Sequence, residues 1–60
     1  SLPAEIAYKV DKWCGGNVLH FWNNEGTYLV VVKDGGDLYF LRFFRLGSEY
    51  VMSQDGVCVQ

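Results

Sequence analysis

The sequence predicts a single-domain α+β protein in which one N-terminal amphipathic helix packs on a five-stranded antiparallel β-meander. Helical spacing of apolar residues occurs only in the first segment of the 60-residue chain. Beyond it, the chain divides into short runs rich in Val, Tyr, Phe and Leu, which are typical strand residues. Breaks of a few residues separate these runs, and such short gaps favour antiparallel hairpins.

The first segment is predicted to form a helix over residues 2–14. At the helical period its large apolar side chains fall on one side, as the stripe Leu2, Ile6, Val10 and Trp13. Pro3 suits the first turn, and Gly15 and Gly16 end the helix, one of them in the left-handed conformation. A helix of this length is not stable alone, so its apolar stripe is expected to lie on the sheet.

The remaining residues are predicted to form five strands. The strands span residues 18–22, 27–33, 38–45, 49–53 and 57–60. Strands joined by short turns pair with their neighbours in sequence, which gives a meander. The alternative is a sheet that curls into a small barrel, with the helix across one end.

The turns predict the register of the hairpins and hence the face on which each side chain lies. The expected opposite pairs are Trp22 with Thr27, Lys33 with Leu38, and Leu46 with Glu49. Because paired residues share a face and faces alternate along a strand, one face is almost wholly apolar. This predicted core face consists of Leu19, Phe21, Tyr28, Val30, Val32, Tyr39, Leu41, Phe43, Tyr50, Met52, Val57 and Val59.

The opposite face is predicted to carry an exposed apolar patch. Val18 is assigned to this face as well. A contiguous patch of aromatic and aliphatic side chains usually marks an interaction site. Its expected interface residues are His20, Trp22, Leu29, Val31, Leu38, Phe40, Arg42 and Phe44. In the barrel alternative, some of these residues would be scattered over the outside and would have no function.

The sequence contains no constellation that indicates catalysis. His20 is the only histidine, and its expected neighbours are apolar rather than a nucleophile and an orienting acid. No Cys/His cluster has the spacing of a zinc site, and the acidic segment 34–37 lacks the ligand spacing of a calcium loop. We therefore expect no enzyme activity, no metal and no cofactor.

The two cysteines leave two redox states open. Cys14 ends the helix on the core side, whereas Cys58 is predicted to point to the opposite face, which favours two free thiols. A disulfide between them is the alternative, because two cysteines in a small domain often pair. Unpaired cysteines, no signal-peptide pattern and no apolar run of membrane-spanning length predict a cytoplasmic protein without a membrane segment.

The charge balance favours a protein partner over nucleic acid. The formal charge is −2, because seven Asp and Glu residues outnumber five Lys and Arg residues, whereas phosphate binding depends on clustered cations. The leading expectation is a regulatory or inhibitor module that binds protein through the aromatic face, either a second copy in a homodimer or a larger protein. The alternative is a ligand- or single-strand-binding platform, since Arg42 is interleaved with aromatic residues that can stack on bases.

Overall fold

The computed structural model describes residues 1–15 and 17–54. Its elements are α1 (Ala4–Cys14), β1 (Asn17–Asn24), β2 (Thr27–Asp34), β3 (Asp37–Leu46) and β4 (Glu49–Gln54). The strands form one antiparallel sheet in the order β1-β2-β3-β4, so the α+β class is confirmed and the closed barrel is not formed by the described residues. The predicted strand at 57–60 and the question of a bridge between Cys14 and Cys58 fall outside the described residues.

The helix α1 begins two residues later than predicted and ends where predicted. Pro3 precedes it in an extended conformation, with φ −56° and ψ 140°. At the other end Gly15 has φ 69° and donates its N–H to the Asp11 carbonyl at 3.0 Å, so the left-handed glycine cap is confirmed at this position. α1 has 11 residues, and no helix in the described residues is long and apolar enough to span a bilayer.

The inner face of the sheet holds the hydrophobic core. We define the inner face by its buried residues, Tyr28, Val30, Val32, Leu41 and Phe43. Ile6 and Val10 of α1 belong to the same buried cluster. Partly buried side chains pack against the cluster, namely Leu2, Trp13, Phe21, Tyr50 and Met52. The Trp13 ring also meets the Tyr39 ring edge to face, with the ring centroids 5.1 Å apart.

The hairpin registers match the prediction in two of three cases. The confirmed pairs are Lys33 with Leu38 and Leu46 with Glu49. In the first hairpin the prediction was wrong, because Asn24 rather than Trp22 lies opposite Thr27, and Trp22 pairs with Leu29. Since the shift is two residues, Trp22 keeps its predicted face.

The shift arises from a tight turn between β1 and β2. Glu25 and Gly26 have φ angles of 52° and 89°, and two positive φ angles are the mark of a type I′ turn. The Asn23 side-chain oxygen accepts the Gly26 N–H at 3.0 Å, and its amide nitrogen donates to the Tyr28 hydroxyl at 3.2 Å. Asn23 and Asn24 therefore extend β1, although their residue type is typical of turns.

A bulge in β1 overturns two face assignments. Val18 pairs with Val32 and His20 pairs with Val31, so Leu19 is the extra residue. Leu19 is 56% exposed, and the prediction that it lies in the core is wrong. The prediction that Val18 lies on the opposite face is wrong as well, because it pairs with the inner-face residue Val32.

A charged cluster joins α1 to β4. The Lys9 ammonium lies 3.2 Å from one carboxylate oxygen of Glu5 and 3.2 Å from one of Glu49, and it donates to the Tyr50 carbonyl. Glu5 accepts the Tyr50 N–H at 2.9 Å. This backbone hydrogen bond lowers the pKa of Glu5, and the neighbouring Lys9 lowers it further. Partial desolvation lowers the pKa of Lys9, but its hydrogen bonds with Glu49 and Glu5 outweigh this and raise the pKa.

We expect Glu5→Gln to destabilise the fold near neutral pH and to have little effect in acid. Because folding lowers the pKa of Glu5, its contribution is present above the ordinary value of 4.5 and is lost as the pH falls through the folded-state pKa. Urea unfolding of the wild type and the variant at both pH values measures this. Asp11→Asn, on the same helix, is the control. An equal loss of stability at both pH values would contradict the prediction.

We expect Glu25→Asn to stabilise the first hairpin. A left-handed conformation costs a non-glycine residue about 1 kcal/mol, and asparagine tolerates it better than glutamate. Asn-Gly is also the favoured pair for a type I′ turn, so the free energy of unfolding should rise by about 0.5–1 kcal/mol. Chemical unfolding measures the gain. Glu25→Ala removes the carboxylate but leaves a non-glycine residue in the left-handed conformation. An equal gain in the free energy of unfolding for this variant would show that the effect comes from charge.

Candidate protein-binding face

The outer face, which is the sheet face opposite the inner face, brings the predicted interface residues together in adjacent rows. The first row crosses β1, β2 and β3 and consists of Trp22, Leu29 and Arg42. The second row crosses the same strands and consists of His20, Val31 and Phe40. The two remaining predicted residues lie further along β3 on either side of these rows, at Leu38 and Phe44.

A groove runs along β2 between the two neighbouring strands. It has a volume of about 260 Å³ and is lined by Trp22, Leu29, Val31, Phe40 and Arg42. Leu29 and Val31 form its floor, because their short side chains stand on the middle strand between longer ones. Trp22 and Phe40 form the walls and are 51% and 52% exposed. The groove therefore has an aliphatic floor, aromatic walls and one guanidinium.

Large apolar side chains continue beyond the groove along β3. Leu38 is 56% exposed and Phe44 is 37% exposed. Single exposed apolar residues are ordinary on protein surfaces, whereas contiguous ones indicate an interaction site. Leu38 lies two residues from the groove residue Phe40 on the same strand, so the exposed apolar surface continues past the groove at that end, whereas Phe44 lies beyond Arg42.

The charges on the outer face are positive although the whole chain is acidic. Lys33 and Arg42 are exposed on this face, and neither forms an ion pair with any described residue. Strand alternation assigns one described acid to this face, Glu49 at the start of β4. Its carboxylate is bound by Lys9 of α1. No described carboxylate therefore forms an ion pair with Lys33 or Arg42.

His20 contacts an aromatic ring rather than a nucleophile. Its imidazole meets the Trp22 indole edge to face, with the ring centroids 4.4 Å apart and the ring planes at 80°. Among the described residues, no group of three or more His, Cys, Asp and Glu side chains is placed to hold a metal ion. The contact helps to orient Trp22 beside the groove.

The groove itself was not predicted, although its residues were. The predicted register puts Trp22 beside Thr27, whereas the observed register puts it beside Leu29 and in one row with Arg42. The signal that could have found the groove was the short type I′ turn at Glu25 and Gly26. With this turn, the two short side chains on β2 lie between longer side chains on β1 and β3, and this arrangement forms a groove.

We expect the two faces of β3 to differ sharply in their effect on stability. Phe43→Ala empties part of the core and should cost about 3–5 kcal/mol, close to the whole stability of a small domain. Phe40→Ala should cost about 1 kcal/mol or less, because this side chain is half exposed. Thermal and urea unfolding of the two variants provide the comparison. Similar losses for both would show that the outer face is part of the core.

No family model, no curated protein and no solved structure matches the chain at a significant level of similarity.

Proposed function

We propose that this domain is a non-enzymatic protein-binding module whose binding surface is the outer face. One-sided burial is the observation that supports this proposal. In the proposal α1 covers the inner face, a packing favoured by the buried Ile6 and Val10 and by the ring contact of Trp13. The groove walls opposite stay about half exposed, so burying them in a complex would be favourable.

The composition of the outer face is typical of the centre of a protein interface. Such centres are enriched in aromatic residues and arginine and depleted in acidic residues. Trp22, Phe40 and Arg42 meet around the groove, and aromatic residues and arginine dominate measured binding energies at interfaces. A protruding side chain of a partner would fill the groove and exclude water from these three residues.

The size of the groove favours a protein side chain over a small-molecule ligand. Ligand pockets usually enclose about 300–1,000 Å³ and bury most of the ligand. The groove offers about 260 Å³ and is bounded by half-exposed side chains. Exposed apolar residues extend past it at Leu38 and Phe44, which suits a partner that covers a wider area.

Self-association is the first form of this proposal. A second copy would lay its outer face on the first around a twofold axis, with the two sheets packed face to face. The apolar groove walls would drive this contact. Arg42 and Lys33 of both copies would oppose it, because they bring like charges together. We therefore propose a weak homodimer that forms when no other protein occupies the face.

A regulatory or inhibitory role in the cytoplasm belongs to the same proposal. A 60-residue domain that acts only through one binding face changes its partner by occupying a surface of that partner. Inhibitors and regulators of larger proteins work in this way. No chemistry on the domain itself is required.

A single-strand or ligand platform is the second candidate function. It is favoured by Trp22, Phe40 and Phe44, whose rings share a face with Arg42 and could stack on bases. Two cations on the face are few for a backbone that binds chiefly through its phosphates. High salt would weaken nucleic-acid binding steeply, whereas it would strengthen an apolar contact between two positive faces.

We expect sedimentation to show a concentration-dependent monomer–dimer equilibrium in the wild type and a monomer for Phe40→Glu. The new carboxylate would be buried without a partner, which costs several kcal/mol. Tyr8→Glu is the matched control, since it adds the same charge to an exposed aromatic residue on α1. A wild type that stays monomeric at high micromolar concentration would contradict self-association, as would a Phe40→Glu dimer.

We expect Arg42→Gln to tighten the homodimer about two- to fivefold, because each removed surface repulsion contributes a fraction of a kcal/mol. Added salt should tighten the wild-type dimer and should have a smaller effect on the variant, because the charges are already reduced. Sedimentation at low and high salt measures both effects. A dimer that dissociates in salt would show that ion pairs rather than apolar contacts hold the two copies together.

A further inference from the structure

We infer that the tighter occupant of the outer face is an extended, acidic segment of a different protein, with a large apolar side chain in the groove and a carboxylate on Arg42. This inference rests on the proposed function and gives its partner a chemistry. It follows from two observations, which are the positive charge of the face and the spacing of its rows.

The positive charge of the outer face favours an acidic partner. Arg42 lines the groove between aromatic neighbours and forms no ion pair within the described residues. A partner that covers the groove would take Arg42 out of water, and that is unfavourable unless an anion meets it. The guanidinium binds a carboxylate through two parallel hydrogen bonds, so an Asp or Glu of the partner satisfies it best.

A second copy does not supply this carboxylate from its own outer face. The described acid of that face, Glu49, is bound by Lys9 and pairs with Leu46, which lies four residues along β3 from Arg42. Arg45, the other arginine, faces inward over the Tyr50 ring, with 5.4 Å between the guanidinium and the ring centroid. Charge complementarity therefore favours a different, acidic protein over the homodimer.

The spacing of the rows predicts where the acid lies in the partner. Leu29 and Val31 are two residues apart on β2, which separates the first and second rows by about 6.7 Å. An extended peptide that lies along β2 repeats its side chains at the same interval. If an apolar side chain of the peptide lies between Phe40 and Val31, the peptide residue two positions away points to the same side and lies beside Arg42. The predicted recognition element is an apolar residue two positions from Asp or Glu.

The test is a selection of random hexapeptides displayed on phage against the wild-type protein, followed by affinity measurements on synthetic peptides. Enriched sequences should carry Leu, Phe, Ile or Met two positions from Asp or Glu. Replacing that acid by its amide should lower the affinity about tenfold, the usual effect of losing one charge-assisted hydrogen-bonded pair. Added salt should weaken the acidic peptide and leave the amide peptide nearly unchanged.

Protein variants separate the residues responsible. Arg42→Gln should weaken the acidic peptide about tenfold and abolish its advantage over the amide peptide. Arg45→Gln is the matched control, because it removes the same charge from the opposite face and should leave peptide affinity unchanged. Phe40→Glu should abolish binding of both peptides while leaving the protein folded. Arg42→Gln is therefore expected to weaken the peptide complex although it tightens the homodimer.

Four results would overturn the inference. Enriched peptides without the spaced acid would reject the acidic partner, and so would equal affinities for the acid and amide peptides. In either case, loss of peptide binding in Phe40→Glu would still support the protein-binding face. Oligothymidylate that displaces the peptide and binds more tightly would assign the face to single-stranded nucleic acid. If no peptide is enriched and the wild type is also monomeric, both the inference and the proposed function fail.

Discussion

The pairing of β2 with β3 determines the core and the outer face together. Val30 and Val32 on β2, and Leu41 and Phe43 on β3, are fully buried on the inner face. The residues that alternate with them along the two strands line the groove, namely Leu29, Val31, Phe40 and Arg42. Because side chains alternate along a strand, a one-residue slip would exchange the core with the groove. Selection for a stable core therefore also maintains the arrangement of the outer face.

The fold was largely predictable because alternation on β2 and β3 is strong and glycine turns set their register. The predicted pairing of Lys33 with Leu38 needed only the short intervening turn at residues 34–37. The bulge at Leu19 was not predictable, because nothing in the residue types of β1 separates an extra residue from a regular one. The predicted turns and strand alternation put all eight residues of the proposed interface on the outer face, whereas the groove depended on the exact partner of Trp22, which a two-residue shift changed.

The outer face is locally positive although the chain as a whole is acidic. The cluster of Glu5, Lys9 and Glu49 joins α1 to β4, and Lys9 binds both carboxylates. The outer face exposes Lys33 and Arg42, neither of which forms an ion pair with a described residue. This local charge gives the two proposed complexes opposite responses to salt. In the proposal, a single charge on the face shifts the balance between self-association and binding of another protein.

The bulge at Leu19 lies on β1, which is a terminal strand in the order of the described sheet. A regular strand edge offers a ladder of unpaired N–H and C=O groups on which further chains can add without limit. A bulge breaks that ladder and increases the local twist, so addition at this edge is disfavoured. The proposed association then takes place on the outer face, where one partner completes the contact. A chain with half of its residues apolar can in this way carry a strongly apolar surface without forming fibres at that edge.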